Sequence, residues 1–328
     1  MKVAFVSGIC GQDGTLLAAL LLGKGYQVIG LIPDARASDV TRLEYMKIKG
    51  QVKLMPINLL DFNAVKKLFE AFNPSEFYNL AAISSVGFSF SEPMMTFDFN
   101  TRSVLNILES IRQVSSGTRF YQASSSEMFG NVGQHRLPIK ESFLFHPVSP
   151  YGISKASAHW LTINYREAYK LHTCCGILFN HESNLRPPQF VIKKILQSAL
   201  RIRKGDQIKL ELGNISIVRD WGYAPMYVDA MWRMLQQERM DDYLICSGSP
   251  ISLKEFTEKV FCKLDLNAGD YLHIDSSLLR SLDLEIIYGD NTRARRELGW
   301  KYELTPDELI DRLIKDELDM MDWMAARK

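Results

Sequence analysis

The feature that most constrains the fold is a glycine-rich turn near the start of the chain. A short apolar run at residues 2–6 leads into Gly8, Gly11 and Gly14, and leucines at helical spacing follow. Strand, glycine turn and helix form the context of a dinucleotide fingerprint, here spaced GxxGxxG rather than GxGxxG. Gly8 would allow the tight turn, and Gly11 would let the backbone approach a pyrophosphate. Gly14 would allow the helix to pack closely on the strand. The alternative is a structural turn without a ligand.

Alternating strands and helices continue over the first 180 residues. Apolar β-rich runs predict strands at 2–6, 26–32, 52–57, 76–82, 118–124 and 173–179, and helical patterns separate them. Such alternation predicts an α/β fold with a Rossmann-type, doubly wound parallel sheet. Residues 1–180 are therefore assigned to a dinucleotide-binding domain, to which later segments return. Residues 181–328 are expected to form mainly a smaller α/β lobe that binds the substrate.

Composition narrows the function classes. The 328 residues include 39 basic and 38 acidic side chains, and this balance gives no electrostatic basis for binding nucleic acid or an anionic membrane. Five cysteines without a CxxC pair suggest a reducing compartment and no structural zinc, so we expect no metal and a cytoplasmic protein. We also expect neither a signal peptide nor a membrane span, because apolar runs are short.

Tyr151 and Lys155 are candidates for redox chemistry. They are four residues apart at the start of a predicted helix, so both side chains lie on one helix face. An ammonium beside a phenol favours the phenolate, which predicts a lowered pKa for Tyr151 and proton transfer near neutral pH. Such a pair can transfer the proton that accompanies oxidation of an alcohol or reduction of a ketone. A surface tyrosine and a surface lysine are the alternative.

A second group ends the fifth predicted strand. Ser125 and Glu127 follow that strand at the carboxyl edge of the sheet, where ligands bind. A serine hydroxyl there can donate to a substrate oxygen beside the tyrosine. Glu127 adds a carboxylate base, which is needed when a C–H bond next to a carbonyl must also be broken. The alternative is that Ser126 merely caps a helix.

Cofactor choice is expected at the end of the second strand. Asp34 would bind the ribose 2′-hydroxyl of NAD, whereas Arg36 would accept the 2′-phosphate of NADP. The alternative is that both side chains are solvated, and the residues alone leave NAD and NADP open.

Several motifs together resemble a known family. The glycine turn and YxxxK are typical of extended short-chain dehydrogenases, and FNHES at 179–183 and RDWG at 219–222 are more specific. On these motifs, and on YNLAA at 78–82 and SPYGISK at 149–155, the chain resembles the GDP-mannose 4,6-dehydratases over essentially its whole length. The resemblance implies a GDP-sugar substrate, NADP with NAD as the alternative, and a homodimer through the two long helices.

The resemblance also implies roles for individual residues. Tyr151 and Lys155 would oxidise the sugar at C4 with Ser125 bonded to that oxygen, and Glu127 would remove the C5 proton as water leaves C6. Cofactor contacts would come, besides the glycines, Asp34, Arg36 and the Tyr/Lys pair, from Gln12, Asp13, Asn58, Leu59, Leu80, Ala81, Ala82, Ser84, His181 and Arg186. Substrate contacts would come from Ser84, Ser125, Glu127, Asn180, Lys194, Gly213, Arg219, Arg280 and Asp283.

The chain departs from the family's pattern at four places. Ser125 replaces a threonine, Ile83 a glutamine and Val148 an arginine, and Pro33-Asp34-Ala35 replaces adjacent arginines. In the family, the loop with the adjacent arginines holds the 2′-phosphate and reaches a neighbouring subunit. Its replacement here weakens the expectation of strict NADP use and of a tetramer. The favoured function is a dehydratase acting on GDP-mannose or a related GDP-hexose or GDP-heptose. A GDP-4-keto-6-deoxy-sugar reductase or C4 oxidoreductase is the alternative, and a non-catalytic dinucleotide sensor is a remote one.

Overall fold

The computed structural model describes residues 1–36, 38–279 and 283–327. Its strands are β1 Val3–Ser7, β2 Gln27–Ile32, β3 Lys53–Pro56, β4 Glu76–Asn79, β5 Arg119–Ser125, β6 Thr173–Leu178, β7 Asn180–Glu182, β8 Leu210–Leu212, β9 Val218–Tyr223, β10 Tyr243–Ile245, β11 Pro250–Ser252, β12 Leu272–Ile274 and β13 Ile286–Ile287. Its helices are α1 Gln12–Gly23, α2 Thr41–Tyr45, α3 Phe62–Phe72, α4 Val86–Ser91, α5 Pro93–Val114, α6 Pro150–Tyr169, α7 Val191–Lys204, α8 Ala224–Gln236, α9 Leu253–Lys263, α10 Thr292–Leu298 and α11 Pro306–Ala325.

The main sheet is parallel and doubly wound, as the alternation of strands and helices predicted. Within the described ranges its strand order is β10-β6-β5-β4-β1-β2-β3, and each neighbouring pair is parallel. The order reverses at β1, because the chain first builds outward through β2 and β3 and then crosses to β4. In open α/β sheets a ligand crevice lies at this point, outside the carboxyl ends of the strands.

Both faces of the sheet are covered, which explains the nearly continuous apolar strands. In β1 the side chains alternate between faces: Ala4 and Val6 pack in one core with residues of α1 and α8, and Phe5 packs in another with residues of α3 and α5. All three are fully buried. Strands buried on both faces lose the polar alternation of a half-exposed strand, so they read as short apolar runs.

The later part of the chain adds a smaller mixed sheet around β9. This strand pairs antiparallel with β11 and parallel with β13 and β7, and β8 pairs with β12 beside it. Residues of α7, α9 and α11 share a core here that includes Leu196, Phe256 and Ile310. β10 lies in the main sheet, although it falls in the second half of the chain. The division at residue 180 stays a prediction.

Two element boundaries differ from the sequence prediction for physical reasons. The fourth strand ends at Asn79 rather than at residue 82, because the Leu80 and Ala81 amides both donate to Ser7 Oγ, each at 3.1 Å, instead of to a neighbouring strand. The sequence pattern predicts a helix over residues 228–237, but α8 begins four residues earlier, at Ala224, since Pro225 has the backbone angle that suits a first helical turn. No helix in the described ranges is long and apolar enough to cross a membrane.

Candidate active site

A cleft of about 770 Å³ lies at the carboxyl ends of the main strands. The glycine turn, the loop after β4, the end of β5, the start of α6 and the β7 region each contribute to its wall. Most of the predicted site residues meet there. Those lining the cleft are Gly8, Gly11, Gln12, Asp13, Gly14, Leu80, Ala81, Ala82, Ser84, Ser125, Glu127, Tyr151, Lys155, Asn180, His181, Arg186 and Arg219.

The predicted residues around the adenine end do not line this cleft. Asp34 and Arg36 lie on the exposed loop after β2, where the Asp34 carboxylate accepts the Arg36 backbone N–H at 2.8 Å. Asn58 is exposed and its side-chain oxygen accepts the Leu60 amide at 3.0 Å. Leu59 is buried. Leu60, which was not predicted, lines the cleft instead.

Three of the predicted substrate contacts also lie away from the cleft lining. Lys194 donates from Nζ to the Glu211 carbonyl at 2.5 Å. Asp283 lies 3.7 Å from the guanidinium of Arg219, which is itself a cleft residue. Gly213 packs so closely that an added Cβ would stand 2.8 Å from a backbone oxygen. Arg280 lies outside the described residues.

The glycine turn fits a dinucleotide pyrophosphate. Gly8 has φ +69°, and an added Cβ would come within 2.9 Å of the Ala81 nitrogen, while one at Gly14 would come within 2.2 Å of the Gly8 oxygen. Gly11 caps α1 without a side-chain hydrogen bond, so the first helical N–H groups are left for a ligand. A backbone cradle of this kind, at a helix N-terminus, binds phosphate oxygens through N–H groups and the helix dipole.

Tyr151 and Lys155 are placed by the first turns of α6. Ser149 caps this helix by accepting the Gly152 amide at 3.0 Å, and Pro150 occupies its first position. Lys155 donates from Nζ to the Ala123 carbonyl of β5 at 2.9 Å and stands 5.8 Å from the centre of the Tyr151 ring. The helix is thereby tied to the strand that ends in Ser125.

Burial governs the protonation of this pair. It raises the pKa of Tyr151 to about 12, although the hydrogen bond with Ser125 acts in the opposite direction. It also lowers the pKa of Lys155 to about 8. The lowered tyrosine pKa expected from the neighbouring ammonium was therefore wrong for this arrangement, because desolvation of the phenolate dominates the Tyr151 pKa. At neutral pH Tyr151 is a phenol that can donate a hydrogen bond.

Glu127 follows Ser125 in a short helical turn at residues 126–128. Ser125, not Ser126, caps this turn, since its Oγ accepts the Glu127 backbone N–H at 3.2 Å. The charge of Glu127 also contributes to the raised pKa of Tyr151, which places the two groups in one electrostatic site. Gly152 makes the approach possible: a Cβ there would lie 2.9 Å from the Glu127 carbonyl oxygen.

His181 is held as a cation in the cleft wall. Its Nδ1 lies 2.7 Å from the Phe179 carbonyl and its Nε2 lies 2.9 Å from the Asp13 carboxylate. Both partners accept hydrogen bonds, so both ring nitrogens must carry protons. Burial opposes this charge, but the Asp13 carboxylate outweighs it and raises the pKa of His181. The pair joins the start of α1 to β7.

Sequence reasoning missed two residues that shape the cleft. Asn100 of α5 is buried, pairs through its amide with the backbone of Ile83 at 2.9 and 3.1 Å, and donates to Ser154 Oγ at 2.9 Å. Glu182 is buried in the cleft wall 3.4 Å from Arg186. The available signals were an asparagine on the apolar face of a long helix and an acidic residue inside a short strand.

Comparison with known sequences identifies relatives over nearly the whole chain. The family model of the GDP-mannose 4,6 dehydratases matches residues 5–313. GDP-mannose 4,6 dehydratase 2 of Arabidopsis thaliana is 42% identical over 329 residues, which cover 97% of this chain and 87% of that protein. The GDP-mannose 4,6 dehydratase of Homo sapiens is 36% identical, with 98% and 92% covered. The Yersinia enterocolitica enzyme is 34% identical, with 100% and 97% covered.

Solved structures share the fold at lower identity. dTDP-glucose 4,6-dehydratase from Streptomyces venezuelae, with NAD and TYD bound, superimposes with a TM-score of 0.86 at 19% identity and 98% coverage of both chains. RMD from Pseudomonas aeruginosa, complexed with NADPH, gives a TM-score of 0.79 at 24% identity, with 98% of this chain and 100% of that chain covered.

Proposed function

Because this chain belongs to the GDP-mannose 4,6-dehydratase family, we propose that it removes water from GDP-mannose, or from a closely related GDP-hexose or GDP-heptose, to give the 4-keto-6-deoxy sugar. The observation that carries the proposal is the meeting of Tyr151, Lys155, Ser125 and Glu127 in one cleft beside a glycine cradle. The tyrosine and lysine alone suit a simple dehydrogenase. The carboxylate adds the second proton-transfer group that an elimination needs.

The first half of the reaction belongs to Tyr151 and its neighbours. Tyr151 gives its own proton to solvent when the substrate binds, and the phenolate then accepts the proton of the C4 hydroxyl as the C4–H bond breaks. Ser125 holds the same oxygen by a hydrogen bond. The ammonium of Lys155 stabilises the Tyr151 phenolate before this transfer, against the burial that raises the pKa of Tyr151. A nicotinamide dinucleotide held on the cradle of Gly8, Gly11 and Gly14 would supply a hydride acceptor for C4 and a hydride donor for C6, so no net oxidation would occur.

Glu127 serves the second half. The C4 ketone acidifies the C5 proton, and the Glu127 carboxylate removes it. The C6 hydroxyl then leaves as water, taking a proton from the same side chain. A proton is then added at C5 to balance the hydride at C6. The proton that Tyr151 took from the C4 hydroxyl supplies it, directly or through solvent, and the sugar keeps its C4 ketone. Atoms and electrons balance as the loss of one water.

The cofactor is proposed to be NADP, with NAD as the alternative. Asp34 and Arg36 follow β2, where a ribose 2′-hydroxyl or 2′-phosphate is recognised in this kind of sheet. Titration of NADPH and NADH by fluorescence decides between them. Asp34→Arg is expected to strengthen NADPH binding relative to NADH, and an unchanged preference would remove Asp34 from cofactor selection.

The substrate's GDP group is proposed to lie beyond the sugar against Asn180 and Arg219, with Lys194, Gly213, Arg280 and Asp283 as further predicted contacts. Arg219 supports this proposal because its guanidinium lies in the cleft wall with only 6% of the side chain exposed. A planar, buried guanidinium suits a diphosphate.

A homodimer through α5 and α6 is proposed as the working form. Phe97 and Leu105 of α5 and Ile153 and Trp160 of α6 are between 40% and 58% exposed, which is unusual for large apolar groups on adjacent helices. Sedimentation velocity should give a dimer, and Trp160→Glu should shift it towards monomer. The free cysteines are consistent with a cytoplasmic location.

Turnover without added cofactor tests the function. Purified protein that carries its dinucleotide should convert GDP-mannose to a product lighter by one water, with no net change in absorbance at the reduced-nicotinamide band. Consumption of NADPH that requires a 4-keto sugar would instead establish the reductase. If the protein binds the dinucleotide but catalyses neither reaction, the remaining function is that of a non-catalytic dinucleotide sensor.

A further inference from the structure

Three polar side chains lie in a row across the middle of the main sheet. Ser7 of β1, Asn79 of β4 and Gln122 of β5 are direct partners in strand register, and each is at most 1% exposed. Two residues earlier the same face carries Phe5, Phe77 and the neighbouring Phe120. The face therefore changes from aromatic to polar as it approaches the cleft. We call Ser7, Asn79 and Gln122 the polar row.

The hydrogen bonds of the polar row all run in one direction. Ser7 Oγ donates to Asn79 Oδ1 at 2.7 Å, and Asn79 Nδ2 donates to Gln122 Oε1 at 2.8 Å. Gln122 Nε2 then donates to the Ala123 carbonyl at 3.0 Å. At the other end, Ser7 Oγ accepts the Leu80 and Ala81 amides. Bonds aligned in this way fix one another's geometry, so the Ala123 carbonyl oxygen at the end of the row is held in position.

The row ends on the atom that holds Lys155. The Ala123 carbonyl accepts Gln122 Nε2 on one side and Lys155 Nζ on the other. Lys155 is 5% exposed, and burial alone lowers its affinity for a proton. A carbonyl oxygen held in position gives the buried ammonium a hydrogen-bond partner and fixes where it stands.

We infer that the polar row is a positioning element that holds Lys155 against Ala123 in the geometry required for proton transfer at Tyr151. The inference rests on the proposed function. Burying a hydroxyl and two amides in a sheet offers the fold little, because an apolar row would avoid their desolvation. Each side chain of the polar row has hydrogen-bond partners, and the last bond ends on the Ala123 carbonyl, which also accepts from Lys155. The row therefore serves the position of Lys155.

Gln122→Met tests the last link, because it keeps the length of the side chain but removes both hydrogen bonds. We expect kcat to fall about ten- to hundredfold, which corresponds to the loss of one or two buried hydrogen bonds. The KM for GDP-mannose should stay within about threefold of wild type, since no substrate contact changes. Gln122→Glu keeps shape and size but loses the donor to Ala123, so it should show the same split if Gln122→Met folds poorly.

A gradient along the row distinguishes relay from packing. Asn79→Leu should lower kcat less than Gln122→Met, and Ser7→Ala less again, because each lies one bond further from Lys155. When Asn79→Leu is added to Gln122→Met, kcat should fall by less than a further factor of about two, since the connection to Lys155 is already broken. Additive losses would overturn the inference. Thr173→Val is the control. The buried Thr173 hydroxyl lies at the amino end of β6, away from the cleft, and donates to the Thr162 carbonyl, so kcat of this variant should equal that of wild type.

A second readout separates this inference from the proposed function. The rate at which acetic anhydride modifies Lys155, followed by peptide mass spectrometry, needs no substrate. Gln122→Met should change that rate at least about threefold, because the Ala123 carbonyl that accepts from Lys155 is no longer held by the row, and Thr173→Val should leave the rate unchanged. If wild type does not dehydrate GDP-mannose but the rate changes as expected, the proposed function fails and the positioning role stands. Wild-type kcat and an unchanged Lys155 rate in Gln122→Met would refute the polar row.

Discussion

The pairing of Asp13 with His181 should make the stability of this protein depend on pH in a defined window. Burial would raise the Asp13 pKa, but the charge and hydrogen bond of His181, with Gln12 and Arg186, lower it from 3.8 to about 2. One pKa unit is worth about 1.4 kcal/mol, so the carboxylate contributes about 2 kcal/mol to folding when charged. Asp13→Asn should remove most of this contribution.

The two partners set the limits of the window. Because the folded pKa of Asp13 is depressed, its contribution is present above about pH 4 and is lost as the pH falls through about 2. The pKa of His181 is raised, so its contribution is complete below 6.5 and is lost as the pH rises through the folded value. The cost of Asp13→Asn should therefore be largest between about pH 4 and 6.5.

Urea unfolding followed by circular dichroism measures this cost. At pH 5.5 the difference between wild type and Asp13→Asn should be about 2 kcal/mol, and it should be smaller at pH 9, because the imidazolium is lost as the pH rises through the folded pKa of His181. Asp98→Asn is the control, because its exposed pair with Arg102 should contribute less than about 0.5 kcal/mol at either pH. A cost for Asp13→Asn that is equal at both values would refute the imidazolium assignment.

Three further substitutions test the site and the fold. Glu127→Gln should lower turnover by about 10²- to 10⁴-fold while GDP-mannose binding, measured by calorimetry, stays within about twofold; unchanged turnover would remove Glu127 from the elimination. Gly14→Ala should abolish dinucleotide binding in a fluorescence titration, because its Cβ would lie 2.2 Å from the Gly8 oxygen; wild-type affinity would contradict the glycine cradle. Lys193→Met should cost about 3–5 kcal/mol of unfolding free energy by leaving the fully buried Glu317 carboxylate without its ion pair, whereas adding Glu317→Leu should recover most of the loss; a double variant as unstable as the single one would argue against that pair.

Much of the fold could be predicted because its strands are buried on both faces. Continuous apolar runs such as the one at the start of β1 are distinctive, and the glycine turn between β1 and α1 fixes the class of sheet. β10 escaped prediction because it has only three residues and joins the sheet from the second half of the chain. The end of β4 was misplaced because a side chain of another strand, Ser7, captures the amides that would have continued it.

The members of the site were easier to predict than their electrostatics. The spacing of Tyr151 and Lys155 and the resemblance to a family named residues that the structure brings together in one cleft. Spacing along a helix carries no information about burial, which raises the Tyr151 pKa instead of lowering it. The charge on His181 depends on the Phe179 carbonyl and on Asp13, which is 168 positions earlier in the chain. Such tertiary contacts have no local sequence signal.

The most direct measurement follows one hydrogen atom through the reaction. GDP-mannose carrying deuterium at C4 is incubated with the protein in ordinary water without added dinucleotide, and the product is analysed by mass spectrometry and NMR. We predict loss of one water and full retention of deuterium, now in the C6 methyl group. Deuterium recovered on released dinucleotide, or a product that has not lost water, would contradict a dehydratase that returns the hydride within one turnover.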